Sequence, residues 1–391
     1  MDTFPAREDK KPTILIVDDE AGPRDAVKVI LRPFFNTRSA ENASSAMTIL
    51  NAQTIDLIVL DQKLPDRQGI DLLQDIKHAY ADVEVIIITG HGSVESAMEG
   101  ILHGAAGYLL KPFNVTELIT LVNQTLEKKR RLDCIRGFFR SSSALWGSDQ
   151  ESAAAWQRLT VGYQALLRPA EGSSVKQEGD NDILRLLSEV LESTNRQLLN
   201  HSSRVSFYAT LMGTRLNLSS EAQQTLVMGA FLHDIGKAHL VSDGLPVDQG
   251  SSSGEDVLRT QHPEKGARFI RSAGLPDDVC RIVLHHHERW DGQGFPHGLA
   301  KDEIPFLARI VSIAQTFDHV MTDLPGQPHQ TVDQALCAIA RESHTHFDPV
   351  LLDMFKEVLG TCNVSIPPMA TMPVISSIGL PPFPSSARRT L

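Results

Sequence analysis

Residues 13 to 126 alternate two kinds of stretch. "TILIVDD", "DLIVLD", "VEVIIITG" and "GYLLKP" are short apolar runs rich in Ile, Val and Leu, the pattern of strands buried on both faces. Amphipathic segments lie between them: "AGPRDAVKVILRPF", "SSAMTILNA" and "GIDLLQDIKHA". This βαβα order predicts an α/β doubly wound domain, a five-stranded parallel sheet with helices on both sides. Its ligands would sit at the carboxyl ends of the strands.

From Asn114 to about Arg140 the period becomes helical and ends in the basic run "EKKRRLDCIRGFFR". Residues 127–180, with "SSSALWGSDQESAAA" and "RPAEGSSVKQEGDND", read as a helical or flexible linker. From residue 181 to 365 only helix-period segments follow, so the second domain is expected to be all-α, making the chain multidomain. Residues 1–12 read as an N-terminal tail, and residues 366–391, rich in Pro and Ser, as a disordered one. No internal repeat is present.

Composition narrows the function. The chain has 391 residues, 41% hydrophobic and 22% charged, with a net charge of −11. Such a field disfavours a nucleic-acid backbone, so the basic run reads as a solvated helix rather than a binding patch. No apolar run approaches the roughly 20 residues that span a bilayer, and the start carries no signal-peptide core. The four cysteines are far apart without a CxxC, which argues against disulfides and thiolate metal sites and for reducing cytoplasm.

Carboxylates fall at the ends of the predicted strands: Asp18 and Asp19 after the first, Asp61 after the third. Thr89 ends the fourth and Lys111 the fifth. Three clustered carboxylates suit Mg²⁺, and a lysine and a hydroxyl beside them suit a phosphoryl group on one aspartate. "VDD", "LDQKLPDRQG", "TGHG" and "YLLKPF", in that order, resemble a response-regulator receiver domain. The resemblance implies Asp61 as phosphoacceptor, with Asp18, Asp19 and Asp61 holding Mg²⁺. It also implies Thr89 and Lys111 as the phosphate-sensing pair, Tyr108 as the aromatic switch, a cis Lys111–Pro112 bond and a sensor histidine kinase as partner.

The second domain is marked by histidines: "NHSSRVSFYATLMG" with His201, "FLHDIGKAHL" with His233 and Asp234, "HPEKG" starting a helix at His262, and "HHHERWDGQGFP" with His286 and His287. Val205, Tyr208, Leu211 and Met212 recur at helical spacing and turn His201 inward. Imidazoles and an aspartate from several helices suit a metal site in a bundle core. Nitrogen and oxygen donors favour Fe, Mn, Ni or Zn over Ca²⁺. Neighbouring helical positions diverge by about a hundred degrees, so His285 is expected not to ligate. His239, His297 and His319 are expected at the surface.

"HDIGK" followed by "HHHERWDGQGFP" closely resembles the HD-GYP family, a branch of the HD metal-dependent phosphohydrolases that cleaves cyclic di-GMP; the likeness runs from about residue 185 to 360. It implies a first metal on His201, His233 and Asp234, and a second on Asp234, His262, His286 and His287. A bridging water would be the nucleophile, and Lys237 would neutralise phosphoryl charge. The loop Asp291, Gly292, Gly294, Phe295 and Pro296 would shape the rim.

The chain departs from the family in four places. Gln315 in "IVSIAQTFDHVM" stands where the family has an aspartate ligand, while Asp318 keeps the later acid. An amide carbonyl at Gln315 can ligate without charge, or the change can mark the loss of one metal. Gln197 replaces a glutamate that accompanies a third metal in some members. "LPGQPHQ" (324–330) replaces a segment with two phosphate-binding arginines, which makes linear pGpG a plausible substitute for the cyclic dinucleotide. "GFP" replaces "GYP", keeping the ring and losing the hydroxyl. Two functions follow: a phosphodiesterase controlled by phosphorylation at Asp61, or a degenerate domain that binds nucleotide or protein without turnover. GGDEF-domain proteins and a second copy of the chain are the further partners expected.

Overall fold

The computed structural model describes residues 11–90, 100, 103–141, 148–167, 179–239, 255–322 and 331–361. The chain divides into two compact units, with the boundary between Arg131 and Leu132. Residues 1–10 of the expected N-terminal tail, all of the tail at 366–391 and the "LPGQPHQ" segment lie outside the described residues.

The first unit holds five parallel strands: β1 (Thr13–Val17), β2 (Asn36–Ala40), β3 (Leu57–Asp61), β4 (Glu84–Thr89) and β5 (Gly107–Leu110), in the order β2-β1-β3-β4-β5. Alternate side chains of β1, β3 and β4 serve opposite cores. Leu15, Val17, Ile58, Leu60, Val85 and Ile87 face one, while Ile14, Ile16, Leu57, Val59, Ile86 and Ile88 face the other. Each core is closed by helices, α2 (Ala43–Ala52) and α3 (Gly69–Ala79) over the first, α1 (Ala21–Leu31) over the second. Burial on both faces is why these strands read as continuous apolar runs. Because β1 and β3 lie side by side, Asp18 and Asp61 end up adjacent at the carboxyl edge.

Helix α4 (Val115–Ser141) changes allegiance along its length: Leu118 and Val122 join the second sheet core, whereas Ile135, Phe138 and Phe139 join a core of the helical unit. Helix α5 (Asp149–Leu167) packs into the same helical core through Ala155, Trp156, Leu159 and Tyr163, with Trp156 edge-on to Phe269 at 5.0 Å between centroids. The segment expected as a helical or flexible linker, 127–180, is helical over 127–141 and 149–167, and one face of those helices packs into this core. Contacts to residues a hundred positions later, invisible to local composition, draw it in.

Helices α6 (Gly179–Thr194), α7 (Arg196–Arg215), α8 (Ser220–Leu232), α9 (Glu255–Ser272), α10 (Asp277–His285), α11 (Phe306–Thr322), α12 (Val332–Ala340) and α13 (Pro349–Thr361) complete the described part of this unit. "HPEKG" does not start a helix. Helix α9 begins at Glu255 and runs through Pro263, so His262 lies inside it. Proline removes one backbone donor from a helix interior, yet α9 continues through it, with a tight neighbour beside this stretch. A Cβ on Gly236 would lie 1.9 Å from the His262 carbonyl oxygen and 2.7 Å from the Gly266 nitrogen. Glycine at 236 thus lets the turn after His233 and Asp234 press on α9.

Replacing Trp156 by alanine should lower the stability of the helical unit by roughly 3–5 kcal/mol, read from chemical denaturation. A change under about 0.5 kcal/mol, as for a solvated surface residue, would return α5 to the status of a linker.

Candidate metal centre

Asp234 lies immediately after α8 and its cap residue His233, at φ −99° and ψ 8°, and leads into a single 3-10 turn, Ile235–Lys237. It is fully buried. Its two oxygens face two groups of imidazoles. His201, His233 and Asp234 offer ligand atoms all within 4.8 Å of one another, and so do Asp234, His262, His286 and His287. The structure brings together all five histidines expected to ligate, from α7, the end of α8, α9 and the end of α10.

Backbone and side-chain acceptors orient the rings. His233 and His286 cap their helices, and each donates from Nδ1 to the carbonyl three residues back: Ala230 at 2.7 Å and Val283 at 2.8 Å. His201 donates from Nδ1 to Asp318 Oδ2 at 2.7 Å. An Nδ1 engaged as donor leaves Nε2 with a lone pair directed inward. Yet His201 Nε2 lies 3.2 Å from His233 Nε2, and His262 Nε2 lies 3.2 Å from His286 Nε2. Asp234 Oδ1 is buried without a well-aligned hydrogen bond, 3.1 Å from His262 Nε2. The inward Nε2 lone pairs of His201, His233 and His286, crowded with His262 around a carboxylate that makes no well-aligned hydrogen bond through Oδ1, fit a set of donors that converge on cations. The residues present therefore fit a pair of borderline divalent ions sharing Asp234.

The electrostatics agree. Burial lowers His233 to about 3, and burial together with neighbouring imidazoles holds His286 and His287 well below the usual imidazole range. These rings are neutral at pH 7, as ligands must be. Burial alone would raise Asp234, but the Lys237 ammonium and the His233 and His262 imidazoles hold its carboxyl well below the ordinary value. Lys237 Nζ sits 2.6 Å from Asp234 Oδ2.

Sequence reasoning missed Arg204. It lies three residues after His201, hence on the same helix face, and binds Asp318 through Nε at 2.6 Å and Nη2 at 2.8 Å. Asp318 is fully buried, and this fork together with His201 keeps it ionised: burial would raise it, and those hydrogen bonds bring it below the usual value. The signal was available, since an arginine one turn after an inward histidine needs a buried acid. Gln315 lies beside the cluster with its amide nitrogen donating to the His286 carbonyl at 3.0 Å, a bond no carboxylate can make.

Two surface expectations need correction. His239 is fully buried, its Nδ1 donating to the Gly236 carbonyl at 2.5 Å. His319 is half-buried, its ring 4.5 Å from that of His201 and its Nδ1 donating to the Gln315 carbonyl at 2.9 Å. In both, a nearby carbonyl satisfies one ring nitrogen and permits burial. His297 is exposed, and so is Gln197.

The rim loop is held by its own polar groups. Asp291 accepts from Arg289 Nε at 3.1 Å and Nη2 at 2.8 Å, and this pairing lowers its carboxyl to about 2. Gly292 donates to the Arg289 carbonyl at 2.9 Å. A Cβ on Gly294 would fall 2.3 Å from the Arg289 nitrogen, so the chain folds back there only with glycine. Phe295 stacks on His287 at 4.7 Å and 20°, and the bond to Pro296 is cis, as is Lys111–Pro112.

In the first unit, Asp18, Asp19 and Asp61 offer oxygens within 4.8 Å of one another. Lys111 Nζ bridges Asp18 Oδ2 at 2.8 Å and Asp61 Oδ2 at 2.5 Å; despite its burial, these bonds raise the lysine above its usual value. Thr89 is buried at the end of β4, its carbonyl accepting from the Lys111 nitrogen at 2.8 Å, and Tyr108 is half-buried on β5. An acid-rich strand edge and a buried histidine–aspartate cluster describe a signalling receiver joined to a metal-dependent phosphohydrolase.

Residues 14–123 match the response regulator receiver domain and residues 185–351 the HD domain. The chain thus carries a response regulator receiver domain followed by an HD domain. It is 26% identical to a probable cyclic di-GMP phosphodiesterase of Vibrio cholerae serotype O1, over 88% of this chain and 77% of that one. It is 25% identical to the cyclic di-GMP phosphodiesterase response regulator RpfG of Xanthomonas campestris pv. campestris, over 87% and 86%. A cyclic di-GMP phosphodiesterase of Thermotoga maritima is 26% identical over 88% and 89%. Among the described residues no helix is long and apolar enough to cross a membrane.

Arg204→Met, which removes the support of Asp318, should weaken metal binding by about 10–100-fold in a chelator competition titration; unchanged affinity would make the pair irrelevant to the ions. Acidification tests the neutral imidazoles. An unfolded imidazole takes its proton near 6.5, whereas folded His233 does so at about 3, so the unfolded chain binds more protons between those values. Stability of the metal-free protein should be full above that window and fall as pH drops through it. A flat profile there would contradict buried neutral rings.

Proposed function

We propose that the chain is a response regulator in which phosphorylation of Asp61 controls a phosphodiesterase of the HD-GYP type, acting on cyclic di-GMP or on linear pGpG. The observation that carries this reading is the convergence of two imidazole groups on one buried carboxylate, Asp234. The names of relatives that match over most of both chains support the substrate class.

His201, His233 and Asp234 would hold one ion, and Asp234, His262, His286 and His287 the other; Fe, Mn, Ni and Zn all suit the donors. The bound pair would lower the pKa of a shared water and so supply the nucleophile at neutral pH. The chain's own residues do the rest. Lys237, about one-fifth exposed, is anchored on Asp234 Oδ2, and its positive charge would stabilise phosphoryl oxygens as they gain charge. Phe295, stacked on His287, fixes that ring and walls the rim.

In the receiver, Asp18 and Asp19 would hold Mg²⁺ beside Asp61, with a histidine kinase as phosphodonor. Lys111 already spans Asp18 and Asp61, so a phosphoryl group on Asp61 would compete for its ammonium. Loss of that bond, sensed with Thr89 and Tyr108, would shift the receiver between two arrangements.

One observation favours a second reading, a binding module without turnover: Gln315 gives its amide to the His286 backbone and brings no charge to the first ion. Product formation separates the two. The purified chain supplied with Fe, Mn or Ni should consume cyclic di-GMP or pGpG, and Asp234→Ala should not. Consumption of neither substrate would leave the binding reading. Lys237→Met should lower kcat by about 10²–10³-fold. Asp61→Asn should abolish any response of turnover to a small-molecule phosphodonor, and a retained response would remove Asp61 from the control.

A further inference from the structure

A second group of nitrogen and oxygen donors lies on the rim loop, separate from Asp234. His285, Glu288 and His297 each present one ligand atom within 4.8 Å of the others. His285 closes α10, and its side chain is 12% exposed. Its Nδ1 is buried with no well-aligned hydrogen bond, and its nearest acceptor, Glu288 Oε1, is 3.5 Å away. A buried ring nitrogen in that condition is rare unless an ion or water completes it.

Glu288 is 1% exposed and held in place from the far end of the loop. Its Oε1 accepts from the His297 nitrogen at 2.9 Å and its Oε2 from the Leu299 nitrogen at 3.0 Å. A carboxylate oxygen accepts more than one bond, so both retain lone pairs. The exposed ring of His297 lies 5.3 Å from that of His285. The site thus has two imidazoles, one fixed carboxylate and one side open to water.

We propose that His285, Glu288 and His297 form an additional transition-metal site, taking a borderline divalent ion such as Zn²⁺ or Ni²⁺ with water at its open position. Three protein donors and a water are the arrangement of an accessible zinc site, and two imidazoles exclude a preference for Mg²⁺ or Ca²⁺. The site is distinct from the place beside Gln197, where a third ion is not expected. The ion would tie the end of α10 to His297 and so fix the intervening loop, Asp291 to Pro296, that walls the Asp234 cluster. His285, expected not to ligate, lies outside the Asp234 groups and belongs to this one. The proposal does not depend on turnover, so it stands or falls apart from the phosphodiesterase reading.

Zinc content tests it. The full chain, without a histidine tag, is stripped with a chelator, reloaded with Zn²⁺, desalted and assayed by elemental analysis. His297→Ala, an exposed substitution, should hold one ion per chain fewer than the unaltered protein, and His297→Cys should restore it. Asp234→Ala should lose the ions of the buried cluster and keep this one. Equal zinc in the unaltered chain and His297→Ala would overturn the proposal, whatever the turnover of either. A loss in His297→Ala that His297→Cys does not restore would also count against it.

Discussion

A carboxylate with no access to solvent is the constraint on which the helical unit depends. Removing an ion from water carries an effective penalty of several kcal/mol, so Asp234 persists only because positive or polarisable groups surround it. Lys237 satisfies one oxygen at 2.6 Å; the other lies 3.1 Å from the His262 imidazole, which helps hold the carboxyl ionised. The surrounding architecture serves this arrangement. Two helices end where their cap histidines can donate backward to a carbonyl, and Gly236 allows the turn after Asp234 to press on α9 at His262. The forked Arg204–Asp318 pair fixes His201 from outside.

The two units handle the same electrostatic difficulty alike. Each places one lysine on its buried carboxylate site: Lys111 on Asp18 and Asp61, Lys237 on Asp234. Each lysine supplies positive charge without an added cation. The sites differ in depth. The receiver acids lie at a sheet edge where Asp19 is exposed, which suits hard, hydrated Mg²⁺; the helical cluster is enclosed and nitrogen-rich, which suits ions that accept imidazole.

Much of this was legible in the chain, and what was not has a physical cause. Strands β1, β3, β4 and β5 announce themselves as apolar runs. Strand β2, "NTRSA", sits at the sheet edge with only Ala40 buried, so it carries no such signature. Helix α5 resembled a linker because Trp156, Leu159 and Tyr163 find their partners far away in the chain. The histidine and aspartate spacings pointed to the cluster, since chemistry of this kind needs particular side chains. How the rings are turned depends on backbone carbonyls at helix ends, which no residue letter records. His239 and His319 were misplaced for the same reason: a carbonyl supplied by the fold makes a buried imidazole acceptable.

Anomalous X-ray scattering from crystals loaded with manganese or iron tests the shared carboxylate most directly. Two peaks about 3.5–4 Å apart, one contacted by each oxygen of Asp234, are the predicted result. A single peak, or ions that Asp234 does not touch, would contradict it.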